Sequence, residues 1–429
     1  MKVYNCPNEV EIREIVKRPT FDFEKLNAKV SEILNDVKLN GDDALRGYSR
    51  EFDKCELVDL EVSLDEFDAA EVSVSTELKN AISLAISSIE KFHCSQREEE
   101  RIIETAAGVF CWRRSVPIER VGIYVPAGTA PLFSTVLMLA IPARLAGCRE
   151  IVLCTPPNKN GKIDDAVLYA ARVCGVTKVF KIGGAQAIAA MAFGTESVPK
   201  VFKIFGPGNQ YVTSAKQLVA QTETAIDLPA GPSEVAILAD DTCNPAFVAA
   251  DLLSQAEHGV DSQCLLVTTS KSIADEVRAE IERQLEKLGR KEIARAALEN
   301  SSVVIESDLD KAVDQINEYA PEHLIIAVRE ADAIANQVVN AGSVFIGNYS
   351  TESAGDYASG TNHTLPTNGY ARSYSGVSLD SFVKKITFQK LTEQGIRTLG
   401  PAIEMMAAAE GLDAHKNAVS IRLEAINEV

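Results

Sequence analysis

A helix predicted over residues 245–258 carries a stripe of potential metal ligands. Asp251, Gln255 and His258 occupy positions i, i+4 and i+7, which lie on one face of an α-helix. Oxygen and nitrogen donors aligned in this way suit a divalent metal ion such as zinc, although a solvated helix face has the same pattern. On chemistry alone Asp251 is a better ligand than Gln255, because a carboxylate binds zinc more strongly than an amide oxygen does.

Glu322 and His323 form a candidate acid–base pair within the segment Pro321-Glu-His-Leu324. An imidazole titrates near neutrality, and partial burial raises the pKa of a carboxylate toward the same range, so the two side chains suit two kinds of proton transfer. Two exposed polar residues at a helix end give the same sequence. The pair also precedes a predicted strand, 324–328, whereas active residues of parallel sheets usually follow the carboxyl ends of strands.

A polar loop at 352–363 contains two acids and a histidine, Glu352, Asp356 and His363, among small residues. Such a stretch is either a plain loop or a binding loop. Farther along the chain, His415 lies in a predicted helical tail. Four of the five histidines therefore come after residue 250, close to acids and glycines.

Two glycine-rich junctions join a predicted strand to a predicted helix, Ile182-Gly-Gly-Ala-Gln-Ala187 and Phe205-Gly-Pro-Gly-Asn-Gln210. Glycines let the backbone approach a ligand closely, and the N-terminus of the following helix offers free N–H groups to an anion. Gln186 and Asn209 place amide groups where a ribose or a phosphate would sit. Neither junction matches the G-x-G-x-x-G fingerprint or a Walker motif, so a tight turn without a ligand is the alternative.

Short strands alternate with helices from residue 120 onward, and this alternation predicts the elements that position the chemical groups. It indicates βαβ units and parallel sheets. The predicted strands are 121–125, 151–154, 178–182, 200–205, 234–239, 263–268, 303–305 and 324–328. The predicted fold class is therefore α/β, with two Rossmann-like parallel-sheet domains and additional small helical modules at the N-terminus and the C-terminus.

The composition argues against several classes of protein. With 43 Lys and Arg against 61 Asp and Glu, the net charge is −18, which repels phosphate backbones and argues against nucleic-acid binding. The most apolar stretch, 132–141, is far shorter than the roughly 20 residues that a membrane helix needs, and the N-terminus has no signal pattern. Nine cysteines without a Cys-x-x-Cys pair indicate a reduced, cytoplasmic protein rather than a disulfide framework.

The motifs taken together resemble those of a known family. In order, they are Val121-Gly-Ile-Tyr-Val-Pro-Ala-Gly-Thr-Ala-Pro131, Gly183-Gly-Ala-Gln-Ala-Ile188, Gly206-Pro-Gly-Asn209, Asp227-Leu-Pro-Ala-Gly-Pro-Ser233, Ser254-Gln-Ala-Glu-His258, Pro321-Glu-His-Leu324, Ser353-Ala-Gly-Asp356, Gly360-Thr-Asn-His363 and the tail with Glu410 and His415. Over essentially all 429 residues, the chain resembles the histidinol dehydrogenases, enzymes of the last two steps of histidine biosynthesis. Ala127 departs from the family pattern, in which a glycine more often follows the proline.

This resemblance implies a zinc- and NAD-dependent enzyme that oxidises L-histidinol to L-histidine through the aldehyde, with two NAD+ and one zinc ion per subunit. Matched by motif, the zinc ligands are Gln255, His258, Asp356 and His415. The match overrules Asp251 as a ligand and leaves it with a supporting structural role.

The same match implies roles for the remaining candidate residues. Glu322 and His323 correspond to the family's acid–base pair. The implied substrate contacts are Ser233, His363 and Glu410, together with His323 and the four zinc ligands, and the implied NAD contacts are Tyr124, Gln186 and Asn209. The family is a homodimer whose C-terminal module reaches into the partner's active site, so Glu410 and His415 would act in trans.

The predicted domain organisation combines the alternation of elements with the resemblance. It comprises an N-terminal helical segment at 1–19, a first α/β domain at 20–123 and 235–375 with the zinc helix and the acid–base pair, a second, NAD-binding α/β domain at 124–234, and a helical C-terminal module at 379–429.

Two other functions stay open. One is another NAD-dependent alcohol or aldehyde dehydrogenase, of which a thiol-dependent aldehyde dehydrogenase would need a reactive cysteine. The other is a non-catalytic zinc- and nucleotide-binding protein, which would form no NADH.

Overall fold

The structure is a computed structural model that describes residues 1–18, 23–127, 131–229 and 231–428. Parts of three predicted segments lie outside the described residues. They are 128–130 in the first motif, 230 in the motif that ends at Ser233, and 19–22 at the predicted junction of the N-terminal segment with the first α/β domain. All twelve candidate site residues lie within the described part of the chain.

The chain forms two compact units, Met1–Ser95 with Ile118–Phe382 and Gln96–Pro117 with Val383–Val429. The strands are β1 (Lys2–Asn5), β2 (Ile103–Ala106), β3 (Val109–Pro117), β4 (Arg120–Tyr124), β5 (Glu150–Thr155), β6 (Lys178–Lys181), β7 (Lys203–Phe205), β8 (Ala225–Ile226), β9 (Glu234–Ala239), β10 (Gln263–Thr268), β11 (Ser302–Ile305), β12 (His323–Ala327), β13 (Ser343–Ile346) and β14 (Val383–Leu391).

The helices are α1 (Glu9–Ile15), α2 (Phe23–Tyr48), α3 (Leu64–Ser73), α4 (Thr76–Cys94), α5 (Phe133–Ala146), α6 (Asp165–Cys174), α7 (Gly184–Phe193), α8 (Gln210–Ala220), α9 (Pro245–Ala256), α10 (Lys271–Leu285), α11 (Lys291–Glu299), α12 (Leu309–Tyr319), α13 (Ala331–Ala335), α14 (Glu352–Tyr357), α15 (Glu393–Ala409) and α16 (Asp413–Asn427). Short helical turns lie at Ser49–Asp53, Tyr370–Arg372 and Leu379–Phe382. Within the described residues, no helix is long and apolar enough to span a membrane.

Six parallel strands form the first sheet of the larger unit, in the spatial order β1-β11-β10-β9-β12-β13. Successive residues of its buried strand β9 alternate between two apolar cores, Val235 facing one core and Ala236 the other. This is typical of a parallel sheet covered by helices on both faces. His323, the first residue of β12, pairs with Val235, so the register places the acid–base pair at the amino-terminal edge of the sheet.

Five parallel strands form the second sheet, in the order β6-β5-β4-β7-β8. Its neighbouring strands β4 and β7 end at Tyr124 and Phe205, so their carboxyl ends lie side by side. A glycine-rich turn follows β7 directly, and ligands of α/β proteins usually bind at such a crevice beyond the carboxyl ends of strands. The prediction of two parallel α/β sheets is confirmed.

Helix α2 packs against helix α7, which connects β6 and β7 of the five-stranded sheet. Leu26 and Val30 of α2 share an apolar core with Ala187 and Ile188 of α7. The predicted boundaries grouped residues 20–123 with 235–375 instead. The apolar periodicity of α2 shows that the helix has a buried face, but it does not specify which sheet covers that face.

The smaller unit contains a three-stranded antiparallel sheet in the order β14-β3-β2, and helices α15 and α16. The sequence analysis predicted none of these strands. Most residues of β14 are exposed or half-exposed, so the strand lacks the apolar run that marks a buried one. Helix α15 also continues through Pro401, where the sequence predicted a break.

The N-terminal segment differs from its prediction as well. Among the described residues of this segment, Glu9–Ile15 is helical and Lys2–Asn5 forms strand β1, which pairs with β11 at one edge of the six-stranded sheet. An edge strand of four residues has little room to show alternation, so the sequence alone gave no strand signal there.

Candidate active site

A cleft of about 350 Å³ in the larger unit gathers most of the predicted site residues. One wall is the amino-terminal edge of the six-stranded sheet with His323, and another is the turn at Gly206 beyond the five-stranded sheet. The predicted residues that line the cleft are Asn209, Ser233, Gln255, His258, Glu322, His323, Asp356 and His363. An acid–base pair that precedes its strand can therefore still face a site, because the start of β12 borders this cleft.

The acid–base pair is buried, with Glu322 6% and His323 5% exposed, which excludes an exposed helix end. The backbone of Glu234 contacts both side chains. Its N–H donates to Glu322 Oε2 at 2.9 Å, and its carbonyl accepts from His323 Nδ1 at 3.2 Å. Because a carbonyl only accepts, Nδ1 carries the proton of the neutral ring and Nε2 is the nitrogen that can take up another. Nε2 lies 3.7 Å from Asp356 Oδ1.

Burial shifts the pKa values of the pair in opposite directions. Desolvation raises the pKa of the Glu322 carboxyl well above its usual range, as the sequence predicted. Desolvation lowers the pKa of His323 to about 3, with a smaller contribution from neighbouring histidines. The prediction that this imidazole titrates near neutrality is therefore wrong, and the ring is neutral and available as a proton acceptor.

Arg18 holds the side chain of Glu234, a contact that the sequence analysis missed. Its Nε and Nη2 donate to the two carboxylate oxygens at 3.0 and 2.8 Å, and both side chains are buried. The guanidinium also lies 3.6 Å from the centre of the Tyr319 ring. Because the backbone of Glu234 contacts Glu322 and His323, we expect Arg18 to act as a positioning residue. The available signal was a glutamate at the start of an otherwise apolar strand.

Replacing Arg18 with lysine is expected to lower the free energy of unfolding by about 2 kcal/mol, because a bidentate contact to a buried carboxylate becomes a single one. We expect kcat to fall severalfold as well, since the Glu234 backbone loses support. Urea denaturation and steady-state kinetics measure the two effects. The matched control is Arg13→Lys at an exposed site on α1, with a change within about 0.5 kcal/mol. Equal stabilities of the two variants would contradict the positioning role.

A cluster of metal-binding groups lies next to the acid–base pair. Ligand atoms of His258, Glu352 and Asp356 all lie within 4.8 Å of one another. The amide of Gln255 is fully buried, and neither its oxygen nor its nitrogen has a hydrogen-bond partner among the described residues. Because an unpartnered buried amide is costly, this arrangement fits a bound cation that accepts the amide oxygen as a ligand.

Burial also changes the pKa values within this cluster. Desolvation raises the pKa of Asp356 to about 7 and that of Glu352 well above its usual range. The pKa of His258 is lowered, mainly because the surrounding protein removes water from the ring, although part of the residue is exposed. A cation would stabilise the ionised carboxylates and the neutral imidazole, which are the forms that bind metal ions.

Asp251, the ligand favoured on chemistry alone, is not among the described residues that line the cleft. Its carboxylate accepts a hydrogen bond from the Thr351 hydroxyl at 2.6 Å and another from the backbone of Glu352. These contacts hold the start of α14, which carries Glu352 and Asp356 one turn apart. The sequence analysis placed Glu352 in a polar loop but missed its membership in the donor cluster.

His363 and Ser233 also belong to the polar lining of the cleft. His363 Nδ1 donates to the Asp356 carbonyl at 3.0 Å, and Nε2 accepts from the Thr135 hydroxyl at 3.2 Å. Burial lowers the pKa of His363 to about 4, so this ring is also neutral. Both residues therefore place neutral polar side chains in the lining of the cleft.

The turn that begins at Gly206 forms a rigid wall of the cleft. Gly206 has φ +119°, and a Cβ there would overlap the backbone carbonyl of Tyr124, so the strand and the turn approach this closely only with glycine. Lys216 and Asp227 form a buried ion pair at 2.5 Å that bonds to the carbonyl and the N–H of Gly206. These bonds fix the backbone of the turn at Gly206.

The three residues matched to NAD occupy two places. Asn209 lines the cleft beside this turn, and its side chain accepts two backbone N–H groups in the first turn of α8. Tyr124 is buried with its hydroxyl accepting the N–H of Gly184 at 3.0 Å, and Gln186 is buried in the first turn of α7. Tyr124 therefore links the end of β4 to the other glycine-rich junction.

Glu410 and His415 belong to the smaller unit. Glu410 directly follows α15, and His415 lies in the first turn of α16. Both are exposed. A residue that contacts another subunit must be exposed in its own chain. The exposure of Glu410 and His415 meets this requirement but does not by itself assign them a function.

Comparison with known proteins identifies the family. The family model of histidinol dehydrogenase matches residues 16–423. The chain belongs to the histidinol dehydrogenase family. It is 60% identical over 428 residues to a histidinol dehydrogenase of Bacteroides fragilis, covering 100% of both chains, and 52% identical over 423 residues to one of Yersinia pestis, covering 98% of this chain and 95% of that one. A crystal structure of histidinol dehydrogenase from Elizabethkingia anophelis is similar with a TM-score of 0.97 and 56% identity, over 100% of this chain and 99% of that one.

Membership of the histidinol dehydrogenase family confirms the resemblance and makes the chain an oxidoreductase of histidine biosynthesis. All nine cysteines are free, and none is among the described residues that line the cleft. This histidinol dehydrogenase site therefore offers no thiol for covalent catalysis, which counts against a thiol-dependent aldehyde dehydrogenase.

Proposed function

We propose that the chain catalyses the zinc- and NAD-dependent oxidation of L-histidinol to L-histidine, through L-histidinaldehyde. The observation that carries the proposal is the joint orientation of Glu322 and His323 by the backbone of Glu234, beside a donor cluster with an unpartnered buried amide. The relatives named for histidinol support this choice of substrate. The nine free cysteines support a reduced, cytoplasmic location.

Zinc fits the donor set of the cleft. Gln255, His258 and Asp356 offer an amide oxygen, an imidazole nitrogen and a carboxylate, and His415 from a second subunit would add another nitrogen. When bound, zinc supplies a positively charged anchor for the imidazole and amine nitrogens of the substrate, which is a positioning role. The neutral His363 and the hydroxyl of Ser233 would contact the polar groups of the same substrate.

NAD+ fits the wall at the Gly206 turn, because the turn and Asn209 line the cleft beyond the carboxyl ends of β4 and β7. The N-terminus of α8 lies directly beyond Asn209 and favours a phosphate. Tyr124 and Gln186 stand at the neighbouring glycine junction and would hold other polar parts of the dinucleotide. When bound, NAD+ supplies the hydride acceptor in each of the two oxidations.

In the first oxidation, His323 acts on the alcohol. Its Nε2 accepts the hydroxyl proton while the hydride leaves the carbon that bears this hydroxyl group, which gives the aldehyde. The hydrogen bond from Nδ1 to the Glu234 carbonyl fixes the ring in the required tautomer. An ionised Glu322, whose Oε2 lies 3.7 Å from Nδ1, would stabilise the imidazolium that forms.

In the second oxidation, Glu322 acts on water. Its carboxylate takes a proton from the water that adds to the aldehyde carbonyl, which gives the hydrate. The hydrate then loses the second hydride to the bound acceptor and its two hydroxyl protons to solvent, which leaves the carboxylate product. Burial raises the pKa of Glu322, which makes its ionised form a stronger base than an exposed carboxylate. The N–H of Glu234 aims one oxygen of this carboxylate.

We also propose that the active enzyme is a homodimer in which the C-terminal module enters the partner's cleft. Glu410 and His415 are exposed on the smaller unit, so neither side chain is committed to an interior of its own chain. In this arrangement, Glu410 would contact the substrate and His415 the metal of the other subunit.

The proposed function predicts that one molecule of L-histidinol yields two molecules of NADH. The measurement is the end-point absorbance of NADH with limiting histidinol and excess NAD+, in zinc-loaded enzyme. A yield of one NADH would restrict the activity to the alcohol step. Absence of NADH would refute the proposal and favour a non-catalytic binding protein. Loss of turnover on cysteine alkylation would favour a thiol-dependent enzyme.

A further inference from the structure

We propose that Thr135 is a positioning residue, which sets the orientation of the His363 ring in the cleft and thereby the affinity for the substrate. Thr135 lies in the first turn of α5 and is 2% exposed, and both residues line the cleft. This inference rests on the proposed function, in which His363 contacts histidinol, and deepens it. The residues matched to the family pattern do not include Thr135.

The first observation is that both nitrogens of the His363 ring are bonded to other parts of the chain. Nδ1 donates to the carbonyl of Asp356 on α14 at 3.0 Å, so Nε2 of the neutral ring carries no proton. The hydroxyl of Thr135 therefore donates to Nε2, at 3.2 Å. A ring with one hydrogen bond can turn about that contact, whereas bonds at two separate nitrogens fix the direction of its plane.

The second observation is a further bond between the segment that carries His363 and the same helix. Asn362 is buried, and its Nδ2 donates to the carbonyl of Met138 at 2.6 Å. Residue 142, four positions after Met138, is a proline inside α5 and has no N–H to offer this carbonyl. The asparagine amide takes the place of the missing helical donor. Its Oδ1 accepts the N–H of Thr364 at 2.9 Å, so the residues on both sides of His363 are held.

These bonds place His363 between two elements that belong to different sides of the cleft. Helix α5 follows β4, whose carboxyl end lies beside the end of β7 and the Gly206 turn, and α14 carries Asp356 of the donor cluster. The imidazole bonds to both helices. Without the hydroxyl of Thr135, the ring is bonded to α14 alone, and the substrate has to order it on binding, which costs affinity.

Direct contact between Thr135 and the substrate is the alternative, because the residue itself lines the cleft. The single proton of its hydroxyl is donated to His363 in the structure, which leaves the oxygen lone pairs for a donor of the substrate. The two roles differ in one respect. A positioning residue acts only while His363 is present, whereas a direct contact does not depend on His363.

The test compares the full-length, zinc-loaded wild-type enzyme with Thr135→Val, which keeps the shape of the side chain and removes its hydroxyl. We expect the KM for L-histidinol at saturating NAD+ to rise about 2- to 10-fold, as for the loss of one neutral hydrogen bond. The kcat should stay close to that of the wild type, because the lost interaction supports binding rather than proton transfer. Calorimetric titration with L-histidinol in the absence of NAD+ should show the same rise in Kd.

Thr135→Ser provides the rescue, since it restores a hydroxyl at the same position, and its KM should return close to the wild-type value. The matched control is Thr224→Val. Thr224 is also buried, its hydroxyl donates to the carbonyl of Ala192 at 3.3 Å, and it is not among the described residues that line the cleft. Urea denaturation should show a similar loss of stability in both valine variants, whereas the KM should rise only in Thr135→Val.

A double-mutant cycle with His363→Phe, which keeps a ring without its nitrogens, separates positioning from direct contact. If Thr135 acts through His363, Thr135→Val should raise the KM of the His363→Phe enzyme no further, and the two effects are not additive. Equal rises in both backgrounds would show that Thr135 acts independently of His363 and would overturn the inference.

Should Thr135→Val not yield a folded protein, Thr135→Ala takes its place with the same expected rise in KM, because it removes the same hydroxyl. Wild-type KM and Kd in the variant without this hydroxyl would overturn this inference alone. A wild-type enzyme that forms no NADH with histidinol would overturn the proposed function instead.

Discussion

Replacement of His323 by asparagine is expected to lower kcat by about 10²- to 10⁴-fold, the usual contribution of a general base, while the zinc content stays at the wild-type level. The asparagine amide can still donate to the Glu234 carbonyl, which accepts from Nδ1 in the native protein. It has no counterpart of Nε2, the nitrogen that takes up the hydroxyl proton. Because this interaction is made in the transition state, the loss falls on kcat more than on KM.

The measurement is steady-state NADH formation with histidinol at saturating NAD+, together with metal analysis of the same samples. His93→Asn is the matched control, since His93 is a second buried histidine, on α4, and is not among the described residues that line the cleft. Its kcat should remain close to that of the wild type. Near-normal turnover in His323→Asn would refute the assignment of the base, and loss of zinc from that variant would show a structural role instead.

The local part of the candidate site could be predicted from the sequence. The spacing of Gln255 and His258 along one helix and the adjacency of Glu322 and His323 depend only on covalent neighbours and on helical geometry. The structure brings all four residues to one cleft. Patterns of this kind survive folding because the backbone fixes the relative positions of side chains within an element.

Contacts between distant elements could not be predicted in the same way. Glu234 meets the acid–base pair because β9 and β12 are adjacent strands, and Arg18 reaches Glu234 across 216 positions of the chain. Local periodicity carries no information on which strands pair. The low pKa of His323 was missed for the same reason, since it follows from burial by residues that are remote in sequence.

The fold shows the same division between local and distant information. Eight of the eleven strands of the two parallel sheets were predicted, among them the mostly apolar β9, whereas β14 mixes charged and apolar residues and was not predicted. The apolar face of α2 was recognisable from its periodicity. Its packing on α7 could not be predicted, because the alanine-rich surface that it contacts lies far away in the sequence.

The action of the C-terminal module in trans predicts recovery of activity from two inactive variants. His323→Asn lacks the base, and His415→Asn lacks a contact that the partner needs, so each homodimer should be nearly inactive. In a mixed dimer with exchanged modules, the subunit that keeps His323 receives the intact His415 of its partner. Random mixing should therefore restore about a quarter of wild-type activity, because half of the dimers are mixed and each has one intact site.

A module that acts in its own subunit gives a different result, because every cleft of the mixed dimer then lacks one of the two histidines and no activity returns.

A second mixture, of wild-type and doubly substituted chains, distinguishes the two arrangements independently. When wild-type chains are mixed at random with chains that carry both substitutions, action in trans leaves about a quarter of the activity, since the mixed dimers have no intact site. Action within one subunit leaves about half, since each mixed dimer keeps its wild-type cleft. Refolding of the chains together at equal concentrations, followed by NADH assays at fixed total protein, separates the two arrangements without any knowledge of which contacts His415 makes.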